Sequence, residues 1–304
     1  MMSSERKRSL KGPLFLLLAS VIWGFSLVTQ QTGMELLGPW SFTAVRCTLG
    51  GLSMVLLCAV LDWKRKKREP DFDIAEDTKK AVVPGCICGV FLLGTIISQQ
   101  YGLLYTSVGK GSFITAFYIF LIPLLSLFTG KKPGKRIWFS VVIAMAGLYL
   151  ITMSGGFGKI NRGDVWMLGA ALFYSLFTLA GYGISEDCNT VKVSCIQCFV
   201  IGLPAFIGAA IFEPGEITWA NCTGNPFPIV WAGIVSCAVG YCCQLVGQKY
   251  TEPGPAALIL SSETVISLFA GWLFLHEKLS GMEYLGCLIM CAAILLSLRK
   301  DKNE

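Results

Sequence analysis

Two ionisable side chains stand in stretches of sequence that are otherwise apolar. Arg46 lies in PWSFTAVRCTLGGLSMVLLCAVL (39–61), and Glu263 lies in AALILSSETVISLFAGWLF (256–274). An arginine at the centre of a bilayer costs roughly 2.5–3.5 kcal/mol on insertion scales, so each charge needs a reason to be there. A guanidinium group binds a carboxylate through two parallel hydrogen bonds. A carboxylate in turn binds an ammonium group, or it takes up and releases a proton. The pair predicts either an ion pair between the two or a site for a polar, zwitterionic ligand.

Further polar and aromatic side chains recur at matching positions in the two halves of the chain. YTSVG at 105–109 returns as YTEPG at 250–254, and this offset of 145 pairs Gln99 with Gln244 and Tyr118 with Glu263. An offset of 151 aligns ASVIWGFSL with AALFYSLFT, and it pairs Trp23 with Tyr174 and Arg46 with Gln197. Glutamines and aromatic rings inside spans also serve helix packing. We nevertheless expect one substrate-binding site lined by eight residues: Trp23, Arg46, Gln99, Tyr118, Tyr174, Gln197, Gln244 and Glu263.

The elements that position these residues are predicted to be membrane-spanning helices. Of the 304 residues, 54% are hydrophobic and only 14% are charged, whereas soluble chains carry about 25% charged residues. A helix needs about 20 apolar residues to cross a bilayer, and continuous apolar runs favour helices over barrel strands. We predict an all-α integral membrane protein with ten transmembrane helices, near residues 13–30, 40–61, 81–104, 111–129, 136–153, 165–184, 191–212, 227–250, 256–275 and 280–298.

The distribution of basic residues predicts the orientation of these spans. With a cytoplasmic N-terminus, 20 of the 25 lysines and arginines fall in cytoplasmic segments, as the positive-inside rule requires. We therefore expect both termini in the cytoplasm and a multi-pass protein of the cell (plasma) membrane. The charged segment 62–80 is expected to be a flexible cytoplasmic loop.

The internal repeats predict how the spans are related. Residues 13–153 and 164–298 form two copies of one five-helix unit, and because five is odd, the second copy enters the membrane inverted. Inverted repeats are typical of transporters, whose sites lie near the middle of the membrane at the repeat interface.

These residues resemble the drug/metabolite transporter (DMT) superfamily, in particular its EamA-like members with ten spans. The resemblance is carried by WG at 23–24, Pro39 and Arg46, LIPLLSLFTGKKP at 121–133, and SSETVISLFAGWLFLHEKLS at 261–280. Thr264 replaces the proline usual in the last stretch, and His276–Glu277 replaces the usual Gly-Glu. The resemblance implies a central cavity lined by spans 1–4 and 6–9, with spans 5 and 10 behind it.

The function expected from the sequence is secondary transport of a small polar metabolite by alternating access. An amino acid or a related compound, moved in the export direction, satisfies both charges. Two alternatives stay open: a carrier for organic or quaternary cations, and a membrane receptor or scaffold without transport. We expect no enzyme and no cofactor. We also expect no metal site, because zinc usually takes four N or S ligands and the one histidine is predicted to lie too far from most of the 13 cysteines. The expected partners are a small-molecule substrate, the lipid bilayer and, as a hypothesis, coupled protons, but no nucleic acid. The protein is expected to be a monomer or a homodimer.

Overall fold

The computed structural model describes residues 11–106, 108–130, 133–152, 160–184, 188–275 and 280–298, and these residues contain helices but no strands. The basic N-terminal segment and His276–Glu277 lie outside the described residues. The first half of the chain holds six helices and a short 3₁₀ turn at Leu127–Thr129. The helices are α1 (Lys11–Gly33), α2 (Pro39–Arg68), α3 (Ile74–Leu103), α4 (Val108–Thr115), α5 (Tyr118–Ser126) and α6 (Lys135–Thr152).

The second half repeats this order with one short extra helix, Trp219–Gly224, and with its third long helix divided into two labelled parts. Between Pro226–Val230 and Tyr241–Tyr250 the chain stays helical but widens into a π-helical stretch, Trp231–Gly240. The helices are α7 (Arg162–Tyr182), α8 (Thr190–Phe212), α9 (Trp219–Gly224), α10 (Pro226–Val230), α11 (Tyr241–Tyr250), α12 (Pro253–Leu260), α13 (Ser262–Leu275) and α14 (Gly281–Leu298).

Seven helices of the described chain are long and apolar enough to cross a membrane, counting Pro226–Tyr250 as one. Lys11–Ser26 and Phe113–Ser126 are shorter apolar helical stretches. The protein is therefore an all-helical, multi-pass membrane protein.

Two of the expected spans are broken helices, which corrects the prediction of continuous helices over 111–129 and 256–275. The first break separates α4 from α5 at residues 116–117, and the second separates α12 from α13 at Ser261. At both breaks the backbone tightens into i to i+3 hydrogen bonds, such as Ile119 N to Ala116 O and Thr264 N to Ser261 O. The bounds of α12 follow those of α4 by 145 residues at both ends, the offset of the sequence repeat.

The helix packing is symmetric between the two halves. Each of the following contacts has a counterpart in which every helix is replaced by its equivalent in the other half. Helix α2 packs on α8, and α6 packs on α14. Helix α3 packs on α7 as α11 packs on α1, and α5 packs on α7 as α13 packs on α1. Helices α2, α3, α7, α8 and α11 thus surround a common centre with α1, while α6 and α14 form a pair beside the broken helices.

The prediction of a flexible loop over residues 62–80 is wrong, because most of this segment is helical. Helix α2 continues to Arg68, and α3 begins at Ile74 after Asp73, whose carboxylate accepts hydrogen bonds from the N–H groups of Ala75 and Glu76. The segment is also held in place by Lys192 of α8, whose Nζ lies 3.0 Å from Asp62 Oδ2 and 2.9 Å from Asp77 Oδ2. The sequence analysis did not predict that Lys192 contacts Asp62 and Asp77.

Candidate functional site

A cavity of about 70 Å³ lies between the two halves. Six of the eight residues expected at the site line it, and they come from six different helices. The other wall residues are small, apolar or hydroxyl-bearing, with one further tyrosine and one further glutamine. The complete lining is Trp23, Gln30, Arg46, Leu92, Thr95, Ile96, Gln99, Thr115, Tyr118, Tyr174, Ser236, Tyr241 and Glu263.

Four aromatic rings form one side of the cavity. Trp23 meets Tyr241 edge to face with ring centroids 5.5 Å apart, and its centroid lies 6.4 Å from that of Tyr174. Tyr118 and Tyr174 lie 4.7 Å apart. Rings in this arrangement offer both π-faces and hydroxyl groups to a bound solute. The cluster joins α1, α5, α7 and α11, so it forms only when the two halves are assembled.

Arg46 lies deep in α2 with 2% of its surface exposed. Its guanidinium carbon lies 5.2 Å from the centroid of the Phe42 ring, one turn away on the same helix. Within the described chain Arg46 makes no ion pair, and its Nε has no hydrogen-bond partner. Arg46 shares the cavity wall with Tyr241. The guanidinium is thus available to an anion that enters the cavity.

Glu263 lies in the first turn of α13, directly after the break at Ser261. Glu263 lines the cavity together with Tyr118 and Tyr174, and Arg46 lines the same cavity together with Tyr241. The two charged side chains therefore share one cavity. No ion pair within 4.0 Å joins Arg46 to Glu263 in the described structure, which favours the ligand hypothesis over the direct pair.

The two remaining expected residues do not line the cavity. Gln244 is fully buried behind it, and its Nε2 donates a hydrogen bond to the hydroxyl of Tyr174 at 3.1 Å. Gln197 is also fully buried, on α8, and its backbone carbonyl oxygen lies close to Gly89 of α3. Gln244 therefore positions a wall residue, and Gln197 lies between packed helices.

Sequence reasoning missed several wall residues, of which Tyr241 matters most. Tyr241 stands within an apolar run, as Trp23 does, and an intramembrane aromatic with a polar tip is the signal that could have found it. Gln30, Thr95, Thr115 and Ser236 carried no such signal, because uncharged polar side chains in spans also serve helix packing. Their places become evident only when the helices are packed.

The fold and the cavity together define the class: a multi-pass helical membrane protein with a polar chamber at its centre. The profile of the EamA-like transporter family matches residues 10–153 and again residues 161–299. The chain belongs to this family and, with it, to the drug/metabolite transporter superfamily.

Relatives of known sequence cover almost the whole chain. An uncharacterised transporter of Archaeoglobus fulgidus is 27% identical over 97% of this chain and 89% of its own length. The threonine/homoserine exporter RhtA of Escherichia coli K12 is 26% identical over 100% of this chain and 98% of its own. A solved crystal structure superposes with a TM-score of 0.75 at 16% identity, covering 94% of this chain and 96% of its own. That similarity shows the fold alone.

Proposed function

We propose that the protein is a secondary transporter that exports a small polar metabolite, an amino acid or a close relative, across the plasma membrane. The observation that carries the proposal is the pair Arg46 and Glu263, two residues of opposite charge that line one cavity. An amino acid presents a carboxylate and an ammonium group at once. Bound in this cavity, it offers its carboxylate to the guanidinium of Arg46 and its ammonium group to the carboxylate of Glu263.

The dimensions of the cavity support a small substrate. A volume of about 70 Å³ holds roughly five water molecules at about 10–15 Å³ each. This is the scale of a small metabolite, and it is too small for a nucleotide or a nucleotide sugar. The hydroxyls of Thr95, Thr115 and Ser236 add hydrogen-bonding groups for a polar side chain.

The relatives support both the substrate class and the direction. The RhtA proteins of Escherichia coli and Salmonella typhimurium are named threonine/homoserine exporters, and they match at 25–26% identity over nearly their full length. Threonine is therefore the first substrate to test.

Alternating access is proposed to come from two inverted repeats of five spans each, 13–153 and 164–298, with both termini in the cytoplasm. Three observations support the repeats: the double match of the family profile, the helix breaks 145 residues apart, and the packing pairs that exchange between the halves. Two similar halves in opposite orientation provide one gate for each face of the membrane.

A carrier for organic cations is the second candidate, and the aromatic cluster favours it. Trp23, Tyr118, Tyr174 and Tyr241 surround part of the cavity next to Glu263, and aromatic faces bind quaternary ammonium groups. In this case Glu263 carries the charge recognition, and Arg46 has only a structural role.

Counterflow in proteoliposomes tests the two candidates with labelled threonine, a panel of other amino acids and choline. We compare wild type with Arg46→Gln and Glu263→Gln, and the matched controls are Arg162→Gln and Glu252→Gln at exposed positions. Exchange of an amino acid that both cavity variants lose and both controls keep supports the zwitterion site. Exchange of choline alone, unchanged in Arg46→Gln, supports the cation carrier. No exchange of any compound by wild type contradicts the proposed substrate class.

Proton coupling is proposed to act through Glu263, the carboxyl group of the cavity. An imposed pH gradient should drive uptake in wild type beyond the level reached by exchange. Glu263→Gln should lose this drive, and equal stimulation in both proteins would contradict the coupling.

A further inference from the structure

A column of buried polar side chains leads away from the cavity between α7 and α11. It begins at Gln244, whose Nε2 is bonded to Tyr174 while its Oε1 has no hydrogen-bond partner among the described residues. One turn further along α11, neither amide atom of Gln248 has such a partner, and the same holds for the hydroxyl of Thr178 on α7. Thr251, directly after α11, closes the column with another unpartnered hydroxyl. All of these side chains except that of Tyr174 lack part of their hydrogen bonding, and all are at least nine-tenths buried.

The geometry makes these groups neighbours. Helices α7 and α11 pack on each other, and a methyl group at Gly181 of α7 would collide with the amide oxygen of Gln248. Thr178 lies three residues before Gly181, and Gln244 lies four residues before Gln248, so each pair shares a helix face. At 1.5 Å per residue, Gln244 to Thr251 spans about 10 Å along the helix axis.

The column has a direction. Its inner end touches the cavity through Tyr174. At its other end, a methyl group at Gly12 would collide with the hydroxyl of Thr251, and Gly12 is the second residue of α1. The column therefore runs from the cavity to the membrane face on which α1 begins.

Unpartnered amides and hydroxyls are unfavourable in a packed membrane protein, because there is no bulk solvent to satisfy them. The missing partners of these four side chains must come either from enclosed water or from a second conformation. A second conformation, in which α7 and α11 separate and admit water, supplies every missing partner.

We propose that this column is the closed half of the permeation path, through which a small polar solute and its water pass between the cavity and the face where α1 begins. The inference rests on the proposed transport function and extends it to Thr178, Gln244, Gln248 and Thr251. The solute it fits has hydrogen-bond donors and acceptors, which the amides and hydroxyls of the column complement. A sealed pocket of structural water is the competing explanation.

Thiol accessibility tests the path without knowledge of the substrate. Thr178→Cys is compared with Ser140→Cys, which replaces an equally buried and unpartnered hydroxyl of α6, away from α7 and α11. Vesicles of both orientations are treated with a charged, membrane-impermeant methanethiosulfonate. Labelling is quantified by mass spectrometry of the peptide concerned, because the chain has 13 native cysteines. Thr251→Cys serves as the second variant of the column.

The expected result is labelling of Thr178→Cys and Thr251→Cys at least tenfold faster than Ser140→Cys, and only from the face where α1 begins. Equal labelling of column and control, or no labelling of either column variant from either face, overturns the path and favours sealed water. Labelling from the opposite face alone overturns its direction. If the column is labelled but no compound exchanges in counterflow, the path stands and the proposed substrate class fails. If threonine exchanges but the column is not labelled, the proposed substrate class stands and the path fails.

Discussion

The buried cation Lys192 should be a major determinant of stability at the junction of α2, α3 and α8. Its side chain is 4% exposed, and the acids Asp62 and Asp77 that contact it are 14% and 9% exposed. Its Nζ also donates to Thr78 Oγ1 at 3.0 Å and to the carbonyl of Ile74 at 3.3 Å. Lys192→Met keeps most of the volume but removes the charge and all four contacts.

The magnitude follows from what the substitution leaves behind. Removing one partner of a buried ion pair costs about 3–5 kcal/mol, because the other charge stays buried without compensation. Asp77 keeps a hydrogen bond from Asn189 Nδ2 at 3.2 Å and the more distant Arg65 at 3.8 Å. These contacts compensate part of its charge, so we expect a loss near the lower limit, about 3 kcal/mol.

Arg65→Met is the matched control, because it removes a different cation from the same carboxylate. Arg65 is 44% exposed, and exposed ion pairs contribute about 0–1 kcal/mol. The assay is equilibrium unfolding of the purified protein in mixed micelles, followed by circular dichroism. The triple variant Lys192→Met, Asp62→Asn, Asp77→Asn should regain most of the lost stability, since it leaves no buried charge. Equal stability of Lys192→Met and Arg65→Met would refute the reasoning, and so would a triple variant no better than Lys192→Met.

The same unfolding assay checks two further predictions, both on contacts between α2 and α8. A methyl group at Gly208 would collide with the Trp40 ring, so Gly208→Ala should lose about 1–3 kcal/mol through overpacking; Gly224→Ala, where the nearest atom is 3.6 Å away, should change little, and equal losses would contradict the close contact. The Glu213 carboxylate accepts hydrogen bonds from the N–H groups of Trp40 at 3.0 Å and Ser41 at 2.7 Å, so Glu213→Ala should lose about 0.5–2 kcal/mol as a helix cap does. Glu252→Ala at an exposed position is the control for Glu213→Ala, and a loss of similar size there would argue against a capping role.

The sequence predicted the helical membrane fold and six of the thirteen residues of the cavity wall, because both leave signals in the sequence. Apolar runs set the positions of the helices, and a charge or a large aromatic ring inside such a run is conspicuous by its transfer free energy. Arg46 and Glu263 were found in this way. Trp23 and Tyr118 were found through the internal repeats, and the contact of all four residues with a ligand stays a prediction.

The features that sequence reasoning missed depend on packing between distant segments. Lys192 stands near the start of an apolar run and counted as an ordinary cytoplasmic charge, since nothing local indicates that two acids of the other half surround it. Gln197 has the same residue type as a ligand-binding amide, but it is fully buried and does not line the cavity. The break at Ser261 has no proline to mark it, because Thr264 stands where the family usually has one.

The two broken helices explain how similar halves can form a chemically directional site. Each break starts a new helix at the cavity, and Tyr118 and Glu263 occupy equivalent positions there, 145 residues apart. Helix N-termini favour negative charge, and freed backbone groups are tolerated in a membrane where they line a cavity. At these equivalent positions the first half carries a phenol and the second a carboxylate. At the other equivalent pair, the first half carries the Arg46 guanidinium and the second carries the buried amide of Gln197. The cationic side chain thus comes from one half and the anionic side chain from the other. A zwitterion would therefore bind in the same orientation in both conformations of the proposed cycle. The gates on the two faces of the membrane would open in turn.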